Sequence, residues 1–305
     1  MAAYYLAGVP RRIVYIINPI AGTRTKSGLQ KIIEDRTTRR NIPFRIFPSV
    51  ESGDYSFLTS IIREEGISDV VVAGGDGTLS QVVASLMQEN VRFGVIPCGS
   101  GNGLALAAGI SRQTEKALET VFTGNPNAID GLSINQHFSC MLTGLGFDAK
   151  VAHEFAKQPR RGLRTYALLV SRNFMNARPF QFTVETNGVK FATEAYFISV
   201  ANSNQFGNNV TIAPKALLSD GLMDVVIVKK TAKPLLVYNV LKQIIVGKLR
   251  KMENSLKLPV IYFQAKEVSI VNHNDAPVHI DGDPIESSPE LNIKVLPKCF
   301  RLIQP

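Results

Sequence analysis

Asp69-Val70-Val71-Val72-Ala73-Gly74-Gly75-Asp76-Gly77-Thr78-Leu79 is the stretch on which the fold turns. Val70 to Ala73 form a short, apolar, mostly β-branched run, the composition of a parallel strand covered on both faces. The three glycines permit backbone shapes that a side chain forbids and leave room for a ligand against the main chain. Leu79, Val82, Val83 and Leu86 follow at helical spacing, so a helix begins at the turn and presents its N-terminus there. The N–H groups of such an end favour phosphate oxygens. Asp76 is out of place beside phosphates unless a cation lies between them. The stretch therefore points to a nucleoside triphosphate with magnesium. An ordinary β–α turn is the alternative, because Gly and Asp are common in turns. The stretch is neither a P-loop nor the dinucleotide fingerprint Gly-x-Gly-x-x-Gly.

Working outward, Ile13 to Ile17 reads as a first buried strand running into Asn18-Pro19-Ile20-Ala21-Gly22, and a helix follows to about Arg40. Phe44 to Phe47 is a second strand, and a helix around Tyr55 to Glu65 leads into the central stretch. Phe93 to Ile96 is a fourth strand, ending in Pro97-Cys98-Gly99-Ser100-Gly101-Asn102-Gly103 before a helix from Leu104. Alternating strands and helices imply a parallel sheet with helices on both faces, and ligands bind such sheets at the strands' carboxyl ends. Three glycine-bearing turns, after Ile17, Ala73 and Ile96, lie on that edge.

After about Asn127 the pattern changes to successive strands. The candidates are Phe138–Leu142, Phe180–Thr186, Val189–Ala192, Tyr196–Ala201, Met223–Val228, Val260–Phe263, Glu267–Val271, Val278–Ile280 and Leu291–Val295. Asn187-Gly188 joins two of them as a type I′ hairpin. This half reads as an antiparallel β-sandwich with a helical insert near Arg164 to Met175 and a further helix over Pro234 to Met252.

The 305 residues provide an ample core, with 45% hydrophobic and 19% charged residues. The net charge of +9 favours anionic partners such as nucleotides, acidic lipids or a membrane surface. No nucleic-acid-binding motif and no tryptophan platform accompany it. Cys98, Cys140 and Cys299 lack metal-ligand spacing and suit a reducing cytosol. No run reaches the roughly 18 apolar residues of a spanning helix. The expectation is a cytoplasmic protein, with peripheral contact to a membrane surface and with oligomeric state left open, a homodimer included.

Gly-Gly-Asp-Gly-Thr resembles the signature of diacylglycerol kinases, sphingosine kinases, NAD kinases and, more distantly, phosphofructokinases. The remaining motifs narrow this. Asn18-Pro19 with Gly22, Gly74 to Thr78, and Gly99 to Asn102 stand in the order of the diacylglycerol kinase catalytic-domain family. Asp130, Gly144-Leu145-Gly146-Phe147-Asp148-Ala149, Arg161-Gly162 with Tyr166, and Asn202 with Phe206-Gly207 continue the similarity. Ala213-Pro214, Asp220-Gly221-Leu222-Met223-Asp224 and Asp281-Gly282-Asp283 complete it, so that it spans essentially the whole chain. Gly144 to Ala149, Ala213-Pro214 and Asp281-Gly282-Asp283 favour the lipid-kinase branch over NAD kinase.

The resemblance implies a nucleotide-binding α/β domain of the NAD kinase/phosphofructokinase kind over residues 1–128, and a β-sandwich domain over 129–296. The last strand, about 297–305, would return to the first domain. It implies ATP and Mg2+ as cofactors and a lipid substrate at a membrane surface. Asn18, Gly22, Gly74, Gly75, Gly77 and Thr78 are then expected at the ATP, with Asp76 organising magnesium on the phosphates. Gly99, Ser100 and Asn102 would line the nucleotide pocket. Asp283 occupies the position of the general base, and Asp130 that of an aspartate supporting it. Asp220, with the backbone carbonyls of Leu217 and Leu222, matches a structural magnesium site of all-oxygen ligands. By sequence alone Asp220-Gly221, Asp130-Gly131 and Asp281-Gly282-Asp283 are equally well turns.

Two departures bear on activity. The bacterial diacylglycerol kinases carry Asp-Gly-Glu where this chain has Asp281-Gly282-Asp283, shortening the carboxylate's reach by about 1.5 Å. The stretch Gly99-Ser100-Gly101-Asn102 looks more like sphingosine kinases, leaving a sphingoid base as the second candidate acceptor after diacylglycerol. A nucleotide- or lipid-binding protein without turnover is the contrasting class. Lys229, Lys230, Lys233, Lys242, Lys248, Arg250 and Lys251 form a basic stretch that either docks on an anionic membrane or is the solvated face of a packed helix. His137, His153, His273 and His279 show no ligand spacing and read as structural or surface residues.

Overall fold

The computed structural model describes residues 11–19, 28–158, 163–174, 176–205, 213–232, 235 and 256–305. The first half runs β1 (Ile13–Ile17), α1 (Leu29–Thr38), β2 (Phe44–Pro48), α2 (Leu58–Glu65), β3 (Asp69–Gly74), α3 (Asp76–Leu86), β4 (Arg92–Pro97), α4 (Gly103–Ala107) and α5 (Thr114–Thr123). Strands β2, β1, β3 and β4 pair in that order and all in parallel. Val70, Val71, Val72 and Ala73 are fully buried, as the central strand of a sheet covered on both faces requires.

The amino ends of the strands are pinned by one buried carboxylate. Asp69 accepts Arg11 Nε at 2.7 Å, Arg92 Nε at 2.6 Å and Arg92 Nη2 at 2.7 Å, while Arg11 Nη1 also donates to the Phe122 carbonyl at 2.7 Å. Charge-assisted bonds of this kind fix geometry as well as energy. They hold the sheet at one edge, and the glycine turns lie at the other.

The second half runs β5 (Asn125–Ile134), β6 (His137–Ser139), β7 (Leu142–Gly146), α6 (Phe147–Ala156), α7 (Leu163–Phe174), β8 (Phe180–Thr186), β9 (Val189–Ala201), β10 (Met223–Lys229), β11 (Val260–Ala265), β12 (Glu267–Asn272), β13 (Val278–Ile280), β14 (Asp283–Ile285) and β15 (Glu290–Gln304). Among the described residues its pairings are antiparallel. Alternating residues of β8, β9, β10, β11, β12 and β15, among them Phe182, Ile198, Val225, Phe263, Ile270 and Ile293, bury a second core.

One strand belongs to both halves. β15 pairs with β12 and β5 in the sandwich, and its end meets β4 in parallel through Leu302 and Phe93. Its register with β5 slips between Leu296 and Phe300, where Lys298 takes a left-handed φ of 51°. Such a bulge bends a strand and lets it leave one sheet for the next.

Local patterning mislocates several boundaries. The strand expected over Phe138–Leu142 breaks at Cys140-Met141, and β7 then runs through Gly144 and Gly146, where glycine's weak strand preference hides it. β9 is one strand rather than two, and Leu291–Val295 and Phe300–Ile303 are both parts of β15. Helix α6 was not expected. It starts immediately after Gly146, whose φ of 92° turns the chain out of β7. The expected helix over Pro234 to Met252 lies outside the described residues apart from Leu235.

Candidate active site

The glycine turns after β3 and β4 pack backbone to backbone. A β-carbon on Gly99 would sit 2.6 Å from the α-carbon of Gly75, closer than atoms pack. Gly74 carbonyl accepts Cys98 N–H at 2.8 Å and Gly99 N–H at 3.2 Å, and a β-carbon on Gly74 would press on Thr78. Asn102 closes the second turn onto itself. Its Oδ1 accepts Gly99 N–H at 2.8 Å and its Nδ2 donates to the Gly99 carbonyl at 2.7 Å. That requires a left-handed φ of 55°, which asparagine tolerates better than most residues. Ser100 lies half-buried between them. The turn after β1 joins the same edge: Asn18 N–H donates to the Ala73 carbonyl at 3.0 Å and its Nδ2 to Thr78 Oγ1 at 2.8 Å. Gly22 lies outside the described residues.

Asp76 opens α3 and caps α4. Its Oδ2 accepts Gly103 N–H at 2.9 Å and its Oδ1 accepts Leu104 N–H at 3.1 Å. Burial pushes its carboxyl up to about 6; these N–H bonds lower it and the charge of Asp281 raises it. The Asn102 N–H lowers it as well, so three backbone donors face two oxygens and one further contact is left for a cation, which would also relieve the crowded negative charge.

Asp283 reaches this corner from the other half of the molecule. β13 and β14 form a tight hairpin in which Ile280 pairs with Asp283. Asp281 and Gly282 have φ values of 51° and 89°, both positive as in a type I′ turn. Asp283 leaves that turn with its carboxylate against Gly77, so closely that a β-carbon on Gly77 would overlap it.

The hairpin is held there by Asp281, a residue whose role sequence reasoning missed. Its Oδ2 accepts a hydrogen bond from Ser80 Oγ of α3. Its Oδ1 accepts Ser139 Oγ at 2.6 Å, Leu142 N–H at 3.0 Å and Met141 N–H at 3.2 Å. Burial raises its carboxyl above the ordinary carboxylate range, against these bonds. Because Ser80 is on the helix that begins at Asp76, the turn carrying Asp283 is bolted to the helix it must face.

Asp130 sits in a separate network. Its fully buried carboxylate accepts Gly221 N–H at 2.6 Å and Lys298 N–H at 2.7 Å, and its own N–H donates to the Leu218 carbonyl at 2.8 Å. It therefore braces the Asp220 loop and the β15 bulge. Asn202 links the two networks: its Nδ2 donates to the Asp130 carbonyl at 2.7 Å and to the Cys140 carbonyl at 3.2 Å. Asp220 Oδ1 accepts Leu222 N–H at 3.0 Å, closing a turn, and Leu217 of the same loop is 60% exposed. Among the described residues no three His, Cys, Asp or Glu side chains gather as metal ligands, so an ion here would rest on Asp220 and backbone carbonyls.

The other groups singled out in the sequence are engaged structurally. Burial holds the Cys140 thiol well above its ordinary value and pushes Cys299 up to about 12, which favours the protonated thiol in both. Lys230 pairs with Glu194 at 2.7 Å and Lys229 Nζ donates to the Leu256 carbonyl at 2.9 Å. The rest of that basic stretch lies outside the described residues. No helix among the described residues is long and apolar enough to cross a membrane.

Residues 12–134 match the diacylglycerol kinase catalytic domain, and residues 142–304 match the YegS C-terminal NAD kinase β-sandwich-like domain. A protein of Shewanella frigidimarina named "Probable lipid kinase YegS-like" is 27% identical over 284 residues, 90% of this chain and 88% of its own. Lipid kinase YegS of Escherichia coli K12 is 26% identical over 263 residues, 84% of each chain. A crystal structure of a diacylglycerol kinase from Bacillus anthracis superposes with a TM-score of 0.71 over 97% of both chains at 19% identity, which shows the shared fold. The chain belongs to the family of lipid kinases that joins a diacylglycerol kinase catalytic domain to a YegS C-terminal β-sandwich.

Proposed function

We propose that this enzyme transfers the γ-phosphate of ATP to a hydroxyl of a membrane-derived lipid, with diacylglycerol as the first acceptor and magnesium required. The observation that carries the reading is the contact of Asp283 with Gly77. It sets a carboxylate from the sandwich on the first turn of α3, beside the glycine turns that leave a main-chain floor for phosphates.

Phosphoryl transfer asks the protein for positioning, charge neutralisation and a base for the hydroxyl proton. Gly75 and Gly99 keep the floor free of side chains. Asn18 and Thr78 hold the turns after β1 and β3 together. Asp283 takes the proton of the acceptor hydroxyl. Bound magnesium would supply counter-charge to the phosphates, and Asp76 is the carboxylate placed to hold it. Asp220, with the carbonyls of Leu217 and Leu222, would hold a second, structural ion. The enzyme would meet its lipid as a peripheral protein at the membrane surface.

The test is transfer of labelled γ-phosphate from ATP to diacylglycerol, monoacylglycerol, sphingoid bases, ceramide and NAD, with and without magnesium. Labelled diacylglycerol only in the presence of magnesium is the expected result. A labelled sphingoid base would keep the mechanism and change the acceptor, in keeping with Gly99-Ser100-Gly101-Asn102. Labelled NAD would overturn the lipid reading.

A further inference from the structure

His279 is 3% exposed, belongs to none of the contacts assigned above, and lies on β13 four residues before Asp283. Its Nδ1 accepts the N–H of Gly282 at 3.2 Å. In a two-residue hairpin the N–H of the second turn residue has no partner in the ladder, so this bond is an addition to the turn. An acceptor at Nδ1 places the proton of the neutral ring on Nε2. Nε2 faces Asp148 Oδ2 at 3.5 Å, at the start of α6. Asp148 is itself 7% exposed; its Oδ1 takes Ala149 N–H at 2.8 Å, and its Oδ2 has no hydrogen-bond partner. A buried carboxylate oxygen left in that state is costly unless a donor faces it, and Nε2–H is that donor.

The strand between them makes room for the pair. Gly144 of β7 lies opposite His279 in the ladder, and a β-carbon there would overlap both the Asp148 carboxylate and the imidazole. Gly144, Asp148 and His279 thus form one buried unit, tied to the turn that carries Asp283 by the bond to Gly282.

We propose that His279, with its tautomer set by Asp148, is a positioning residue of phosphoryl transfer: it fixes the Gly282 peptide and through it the carboxylate of Asp283. The inference rests on Asp283 being the base. Asparagine at 279 can place Oδ1 where Nδ1 was, whereas alanine leaves Gly282 N–H unpaired. Asparagine at 148 conserves volume but can offer an N–H to Nε2, which moves the ring proton to Nδ1 and removes the acceptor for Gly282.

The experiment measures label transfer from ATP to a mixed-micelle panel of diacylglycerol and sphinganine for wild type, H279A, H279N, D148N, D283N and H279A/D283N. Hydrogen exchange of the peptide spanning 278–285 is followed in parallel. The expected kcat loss is about tenfold or more in H279A and D148N, with KM for ATP within about twofold. H279N should restore most of the loss, H279A should add nothing in the D283N background, and the Gly282 amide should be protected in wild type and H279N alone. Full activity in H279A, equal losses in H279A and H279N, or an undiminished effect of H279A on top of D283N would overturn the proposal. D283N retaining wild-type kcat would instead overturn the base assignment. Where H279A does not fold, D148N against H279N carries the comparison, and equal exchange of Gly282 in all variants contradicts the latch without reference to turnover.

Discussion

The carboxylate of Asp283 lies against the α-carbon of Gly77, joining residues from the two halves of the chain at the first turn of one helix. Gly77 is therefore glycine for a reason other than backbone freedom. Glycine-to-alanine within a helix ordinarily stabilises by up to about 1 kcal/mol. Here the added methyl occupies the space of the carboxylate. G77A is expected to melt no lower than wild type by more than a few degrees, yet to lose on the order of a hundredfold in kcat. Equal activity would mean that Asp283 does not work from this position.

Gly99 presents a different obstacle, because its neighbour is main chain. A β-carbon there meets the α-carbon of Gly75 at 2.6 Å, and backbone cannot rotate aside. G99A is expected to separate the two glycine turns, weakening ATP binding measured by calorimetry and costing about 1–3 kcal/mol in denaturant unfolding. Unchanged ATP affinity would remove these turns from the nucleotide site.

Asp69 is the anchor of the opposite edge. Removing one partner of a buried charge network leaves the others uncompensated, and here two guanidinium groups converge on it. D69N is expected to lower stability by about 3–5 kcal/mol in urea unfolding. The folded fraction should keep near-normal KM for ATP, since the strand ends it pins are remote from the glycine turns.

Burial pushes Asp224 up to about 6, although Tyr262 Oη donates to it at 2.6 Å and Gln264 Nε2 at 3.2 Å. The unfolded carboxyl titrates near its ordinary value of about 4, so between these values the native state binds more protons than the unfolded state. Stability contributed at this site therefore falls as pH rises from about 4 to about 6 and stays low above that. D224N lacks the titration. Its stability relative to wild type should shift in the variant's favour across that window and level off above it. A pH-independent difference would contradict the assignment.

The first half was largely legible because its information is local. The valine run from Val70, the three glycines and the helical spacing after Leu79 specify β3, the turn and α3 without reference to distant residues, and the meeting of the turns follows from the parallel sheet. Asn18 on Thr78 and Gly75 on Gly99 are that meeting. What escaped is long-range or disguised. Ser80 and Asp281 are 201 positions apart, and no periodicity announces their bond. β7 is concealed by Gly144 and Gly146, which are there for the packing of Asp148 and His279 and for the turn into α6. β15 was seen as two pieces because its bulge at Lys298 interrupts the alternation. His279 reads from the sequence as a structural or surface histidine, and its ring contacts distinguish it.

The measurement that tests the account most directly is label transfer from ATP to diacylglycerol by D283N, D283E and wild type at saturating ATP. General base catalysis contributes typically 100- to 10,000-fold, so a loss on the order of 100-fold or more in D283N, with ATP binding intact, is the predicted result. D283E should retain much more, because its carboxylate can still take the proton. A D283N enzyme as fast as wild type would contradict the central claim.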